Sequence, residues 1–80
     1  MISIIIPVIN EEENLKKLLP YLQENNAEEI IIVDGGSTDK SSEVAEKFQV
    51  KIISSAKGRA KQMNAGAKAA TGNILYFVHA

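Results

Sequence analysis

The sequence has no cysteine among its 80 residues. Disulfides therefore contribute nothing to its stability, and the absence fits a reducing compartment. It also lacks a dominant charge: nine Lys and Arg against ten Asp and Glu leave a formal net charge of -1. That balance argues against a general nucleic-acid binder, which is usually strongly basic. No apolar run approaches the roughly 20 residues needed to span a bilayer. The opening MISIIIPVINEEEN carries neither a basic leader nor a small-residue cleavage site, so it does not read as a signal peptide, and the expected location is the cytoplasm. Zinc-type Cys/His spacing, a phosphate loop of the Walker type, the dinucleotide fingerprint and a convincing Ser/His/Asp set are all missing. What remains, with 45% hydrophobic and 24% charged residues, is ordinary globular composition. A chain this short buries only about 60% of the surface its unfolded form exposes, so one domain with a thin stability margin is expected over residues 1–80.

The apolar residues fall into short blocks. Ser3 to Val8 is a dense β-branched run, as expected of a strand buried on both faces. Glu11, Glu12 and Glu13 suit a helix N-terminus, with Asn10 as its expected N-cap. Leu15, Leu18, Leu19 and Leu22 then recur at helical spacing, and Asn25 and Asn26 close that helix. A second strand runs from Glu29 to Asp34, followed by the turn Gly35-Gly36-Ser37-Thr38-Asp39 and a short helix through Val44, Ala45 and Phe48. A third strand covers Val50 to Ser54. Gly58 to Ala70 reads as a third helix with Ala60, Met63, Ala67 and Ala70 on one face, and Ile74 to Val78 as a fourth strand. The order β-α-β-α-β-α-β predicts an α/β fold: a three-layer, Rossmann-like arrangement with a parallel sheet between helices. In such sheets ligands bind beyond the carboxyl ends of the strands, where strand order reverses.

Three segments at those ends could carry chemistry. In Pro7-Val8-Ile9-Asn10-Glu11, the proline is expected to turn the chain out of the sheet, freeing Asn10 and Glu11 to face a ligand; the alternative is simply a strand end with a capped helix. In Asp34-Gly35-Gly36-Ser37-Thr38-Asp39, the glycines permit close backbone approach and Asp34 can accept hydrogen bonds from a ribose hydroxyl or a base N–H; alternatively the segment is a turn whose Asp39 caps the next helix. In Lys57-Gly58-Arg59-Ala60-Lys61-Gln62-Met63-Asn64-Ala65-Gly66-Ala67, glycine and cations at a helix start make a phosphate-binding corner, and the Arg59 guanidinium can grip phosphate oxygens with two bonds. Gln62 and Asn64 interrupt an Ala-rich helix, so one of them could reach inward to a ligand. Lys61 and Lys68 are equally well read as a solvated face, and Gly66 as a packing notch. His79 lies at the ligand edge of the fourth strand or, more plainly, near a frayed end.

The succession IIIPVINEEENL, IIIVDGGSTD and KGRAKQMNAGAKAATGNILYFVHA resembles family 2 glycosyltransferases of the GT-A fold, across essentially the whole chain. The resemblance implies a strand order 3-2-1-4 and a partner of nucleoside diphosphate sugar type, UDP- or GDP-linked. It places Pro7, Val8, Asn10 and Glu11 along the nucleoside pocket and Asp34, with Gly35, Gly36 and Ser37, at the base or ribose. Arg59, Gln62 and Asn64 would lie near the nucleotide and its diphosphate. Many members carry a second aspartate where this sequence has Gly35, and that residue often reads the base. The family's divalent metal, Mg²⁺ or Mn²⁺, is held by an Asp-rich motif expected to begin where His79-Ala80 stand, so no metal ligand and no catalytic base is assigned here.

On this reading the chain is the nucleotide-binding half of an enzyme that transfers a sugar, too short to be the whole. The alternatives are a non-catalytic nucleotide-binding or oligomerising module, or a remnant. The order 3-2-1-4 leaves Ile74 to Val78 as an exposed apolar edge, which predicts a homo-oligomer through the C-terminal strand.

Overall fold

The computed structural model describes residues 1–25 and 27–78. The expected helix end at Asn26 and the expectations placed on His79 and Ala80 lie outside these residues. Seven elements alternate: β1 (Ile2–Val8), α1 (Glu12–Glu24), β2 (Glu29–Asp34), α2 (Ser41–Lys47), β3 (Lys51–Ser54), α3 (Arg59–Ala69) and β4 (Ile74–Phe77). The four strands form one sheet in the order β3-β2-β1-β4, with every pairing parallel. Both the α/β class and the strand order match the sequence expectation.

Alternation along the two central strands decides the layers. Ile4, Ile6 and Val8 of β1, with Ile30 and Ile32 of β2, pack against Leu15 and Leu19 of α1 and Val44 and Ala45 of α2. The intervening Ile5, Ile31 and Val33 face α3 and its alanines. Each central strand is thus apolar on both faces, as a covered parallel sheet requires. The connections from β1 to β2 and from β2 to β3 cross one face. The return from β3 to β4 crosses the other, which is what a constant crossover hand demands when the direction reverses.

Two prolines stand where rules of thumb would not put them. Pro7 does not end β1: it stays in register with Val33, and Val8 pairs with Asp34. Ile5 accepts the Val78 N–H on the β4 side, so Pro7, two residues on, turns its donorless nitrogen to that same side. There the described β1–β4 pairing has already ended, at Ile5 and Phe77. The proline therefore stops one ladder and leaves the other intact. Pro20 lies inside α1, where it removes one helical hydrogen bond. The helix persists because the fully buried Leu15 and Leu19 before the proline and the partly buried Leu22 after it pack against the core.

The helix faces are corrected at α3. Of the expected face, Ala67 and Ala70 do pack against the sheet, together with Ala65 and Ala69, but the buried residues of α3 are Gln62 and Gly66, and Ala60 is exposed. The reason is Gly66: a Cβ there would overlap Ile5 Cγ2 and stand 3.0 Å from Val33 Cγ2. The helix therefore rolls its glycine onto the sheet rather than its larger side chains.

Candidate functional site

The carboxyl ends of β1 and β2 run into two loops that hold each other. Asn10 is left-handed, at φ 53, a conformation Asn tolerates better than most residues. Its Oδ1 accepts hydrogen bonds from the N–H groups of Thr38 at 2.8 Å and Asp39 at 3.2 Å. The Asn10 N–H in turn donates to Ser37 Oγ. Asn10 is therefore not the N-cap of α1. That place falls to Glu11 without a side-chain cap of its own, and the orphan amides are met from across the loop. Glu11 N–H donates to Ser41 Oγ and Glu12 N–H to Asp39 Oδ2. Reciprocally, Lys40 N–H at the start of α2 donates to Glu12 Oε1, and Ser41 N–H to Asp39 Oδ1. The N-termini of α1 and α2 cap one another. The hydrogen bond from Ser41 Oγ at 2.6 Å, with those from the Ser41 and Glu12 amides, holds the Asp39 carboxyl below the usual carboxylate range.

Asp34 closes the turn that follows it. Its Oδ1 accepts the N–H groups of Gly36 and Ser37, and its Oδ2 the hydroxyl of Ser42. Burial raises its pKa, but the bonds from Ser37, Ser42 and Gly36 together outweigh burial and leave it lowered. This carboxylate is an internal fastening of the 34–42 loop. Gly36, at φ 107, supplies the left-handed step that lets the turn close.

The other wall is the start of α3. Gly58 is its N-cap, in a left-hand-side conformation at φ 138 and with no side chain to cap the helix. The first-turn amides of Arg59, Ala60 and Lys61 have no acceptor four residues back within the helix, and no acidic residue stands in that turn. Among the described residues, Lys57, Arg59 and Lys61 are not in ion pairs. Open amides, the positive end of the helix dipole and unpaired cations are features that favour an anion at this corner. Facing it are Pro7, Val8, Ile9 and Glu11, and the cavity of about 300 Å³ between them also takes in Lys57, Gly58, Arg59 and Gln62. It sits between β1, whose connection crosses one face of the sheet, and α3, which crosses the other: the switch point of the topology.

Gln62 forms the base of this cleft. It is 3% exposed, and its Nε2 donates to the carbonyls of Val8 at 3.1 Å and Val33 at 3.0 Å. The side chain thus ties the carboxyl ends of the two central strands to α3. It enters beside Gly35, where a Cβ would lie 2.7 Å from its Cδ. Gly35 is buried and is not among the positive-φ glycines, so it is needed for room and not for backbone freedom.

Of the residues singled out in the sequence, Pro7, Val8, Glu11, Arg59 and Gln62 meet in the cleft. Asn10, Asp34, Gly36 and Ser37 instead build the adjoining loop, and Gly35 backs onto Gln62. Asn64 is on the exposed side of α3; of the two polar residues in that helix, only Gln62 turns inward. The apolar lining by Ile9 had no signal beyond its neighbours. Among the described residues no three Asp, Glu, His or Cys side chains are grouped to hold a metal ion. The divalent cation implied by the resemblance therefore finds no ligand set in them.

An open parallel sheet with a cleft at its switch point defines a Rossmann-like class of α/β domain. The chain belongs to glycosyl transferase family 2, which it matches over residues 3–80. It is 32% identical to glycosyltransferase AglE of Haloferax volcanii over 96% of this chain and 29% of that protein. It is 34% identical to a dolichol-phosphate mannosyltransferase of Pyrococcus furiosus over 99% of this chain and 25% of that protein. It thus spans between a quarter and a third of the length of these relatives. Glucosyl-3-phosphoglycerate synthase of Mycobacterium tuberculosis, solved with Mn²⁺, UDP and glucosyl-3-phosphoglycerate, superposes with a TM-score of 0.89 at 22% identity, covering 99% of this chain and 33% of that one. The fold is therefore that of the GT-A glycosyltransferases.

Proposed function

We propose that this chain is the nucleotide-binding part of a glycosyltransferase and holds a nucleoside diphosphate sugar of UDP or GDP type in the cleft between β1 and α3. The observation that carries this reading is the pairing of an anion corner (Lys57, Arg59 and the open amides of α3) with an apolar wall and an acid (Pro7, Val8, Ile9 and Glu11) across one cavity. A diphosphate needs the first, and a nucleoside needs the second. The neighbour solved with UDP and Mn²⁺ supports the ligand class. In the parent reaction the bond from the sugar's anomeric carbon to the diphosphate breaks, and an acceptor oxygen takes the sugar. The described residues would bind and orient the leaving diphosphate. A divalent cation, when bound, would neutralise its charge. A reducing cytoplasm suits a chain without cysteine.

The test is thermal stability of the 80-residue chain against UDP, GDP, CDP and their sugar conjugates, with and without Mn²⁺. A selective rise in melting temperature is expected, because a ligand that binds only the folded state stabilises it. A folded protein that responds to none of them overturns the reading. Arg59→Ala should weaken nucleoside diphosphate binding by about tenfold or more, the scale of one charge-assisted hydrogen bond. An unchanged dissociation constant would put the diphosphate elsewhere.

The reading extends to assembly. β4 pairs with β1 on one side only, and Ile74, Tyr76 and Phe77 are 50%, 58% and 48% exposed. An unpaired apolar edge is a template for a second strand, and a second copy of this chain is the proposed occupant. Light scattering at high micromolar concentration should show a dimer or larger; a monomer there counts against it.

A further inference from the structure

We infer that Gln62 selects the base of the bound nucleotide, its Oε1 accepting the ring N–H of uracil or guanine. The inference rests on the nucleotide-binding reading above and assigns its specificity. The carboxamide has one orientation. Both Nε2 hydrogens are directed at carbonyls, those of Val8 and Val33. A half-turn of the amide would set Oε1 against the same two oxygens and lose both bonds. Oε1 is thus fixed as an acceptor, and it receives no hydrogen bond from the described residues. Yet no sealed side-chain oxygen or nitrogen among them is left without a partner. The unpartnered Oε1 is therefore not sealed from solvent, and Gln62 lines the cleft. Gly35 makes this possible, since a Cβ there would stand 2.8 Å from Oε1.

A rigid, nearly buried acceptor discriminates strongly, because a ligand that offers it a lone pair leaves two acceptors facing each other out of water. Uracil presents N3–H and guanine N1–H. Cytosine and adenine present a lone pair at the corresponding ring nitrogen. The cations at the mouth of α3 serve every nucleotide alike, so they bind without choosing.

The experiment compares dissociation constants of the 80-residue chain for UDP and CDP, and for GDP and N1-methyl-GDP, by calorimetry. The first pair tests uracil and the second guanine as the source of the N–H. In the wild type, at least one pair should separate by about tenfold or more in favour of the ring N–H. In Gln62→Ala that ratio should collapse to within about twofold while the diphosphate contacts persist. Wild-type protein that binds both members of each pair alike overturns the inference and leaves the nucleotide-binding reading standing. Protein that binds none of the four overturns both. A separation that survives in Gln62→Ala assigns the selection to another group. If Gln62→Ala fails to fold, the wild-type ratios still decide, since equal affinities remain fatal to the inference.

Discussion

Glu29 shows how much one side chain at the amino ends of the strands can gather. Its carboxylate accepts the hydroxyl of Ser3 at 2.6 Å, the N–H and hydroxyl of Thr71, and the ammonium of Lys51 at 3.3 Å. The Ser3 hydroxyl, itself accepting Gly72 N–H, and the Thr71 amide lead in drawing the pKa down from 4.5 to about 2. The folded value lies below the unfolded one, so the charged form is the one that stabilises the fold. That contribution is present in full above pH 4.5 and is lost as pH falls from 4.5 towards 2. Urea midpoints across this window should fall less steeply in Glu29→Gln than in the wild type; identical slopes would remove Glu29 from the account. At the opposite end of the sheet, Asp34 changes meaning. Were Asp34 a ligand contact alone, Asp34→Ala would weaken nucleotide binding with little loss of folding. With three loop hydrogen bonds ending on its carboxylate, the substitution should cost about 1–3 kcal/mol of stability, and a denaturation midpoint equal to wild type would refute that.

At the scale of elements, close approach matters more than propensity. Gly66→Ala should improve α3 as an isolated helix by roughly 1 kcal/mol. Here the added methyl meets Ile5 and Val33, and overpacking of that kind costs about 1–3 kcal/mol. The expected outcome is a lower urea midpoint for Gly66→Ala, and a rise would mean that α3 sits farther from the sheet. On the other face, the leucine stripe of α1 divides into fully buried Leu15 and Leu19 and partly buried Leu18. Leu15→Ala should cost about 2–5 kcal/mol, with Leu18→Ala costing less. Equal losses would argue against this orientation of the helix.

The whole molecule is compact although it spans only 29% and 25% of its curated relatives. Its Cα radius of gyration is 11.2 Å, close to the roughly 11.6 Å expected of a compact domain of this length. The sequence by itself determined the alternation of strands and helices, because each short β-branched run is apolar on both faces, the two longer helices carry a leucine or an alanine stripe, and the short one carries Val44 and Ala45. The same patterning implied a ligand edge, and the family resemblance supplied the strand order. It also marked Pro7, Glu11, Arg59 and Gln62, since polar and cyclic residues at strand ends and helix starts are conspicuous against apolar runs. What it left open was the direction of each polar side chain. Asn10 and Asp34 look identical in sequence whether or not they fasten a loop, and only the tertiary structure brings residues 36–42 within hydrogen-bonding reach of them. Gln62 and Asn64 were equal candidates until Gly66 rolled α3 onto Ile5 and Val33 and turned one of them under the strand ends. Such choices depend on contacts between residues far apart in the chain, such as Gln62 and Val8 at a sequence separation of 54, and local pattern carries no record of them.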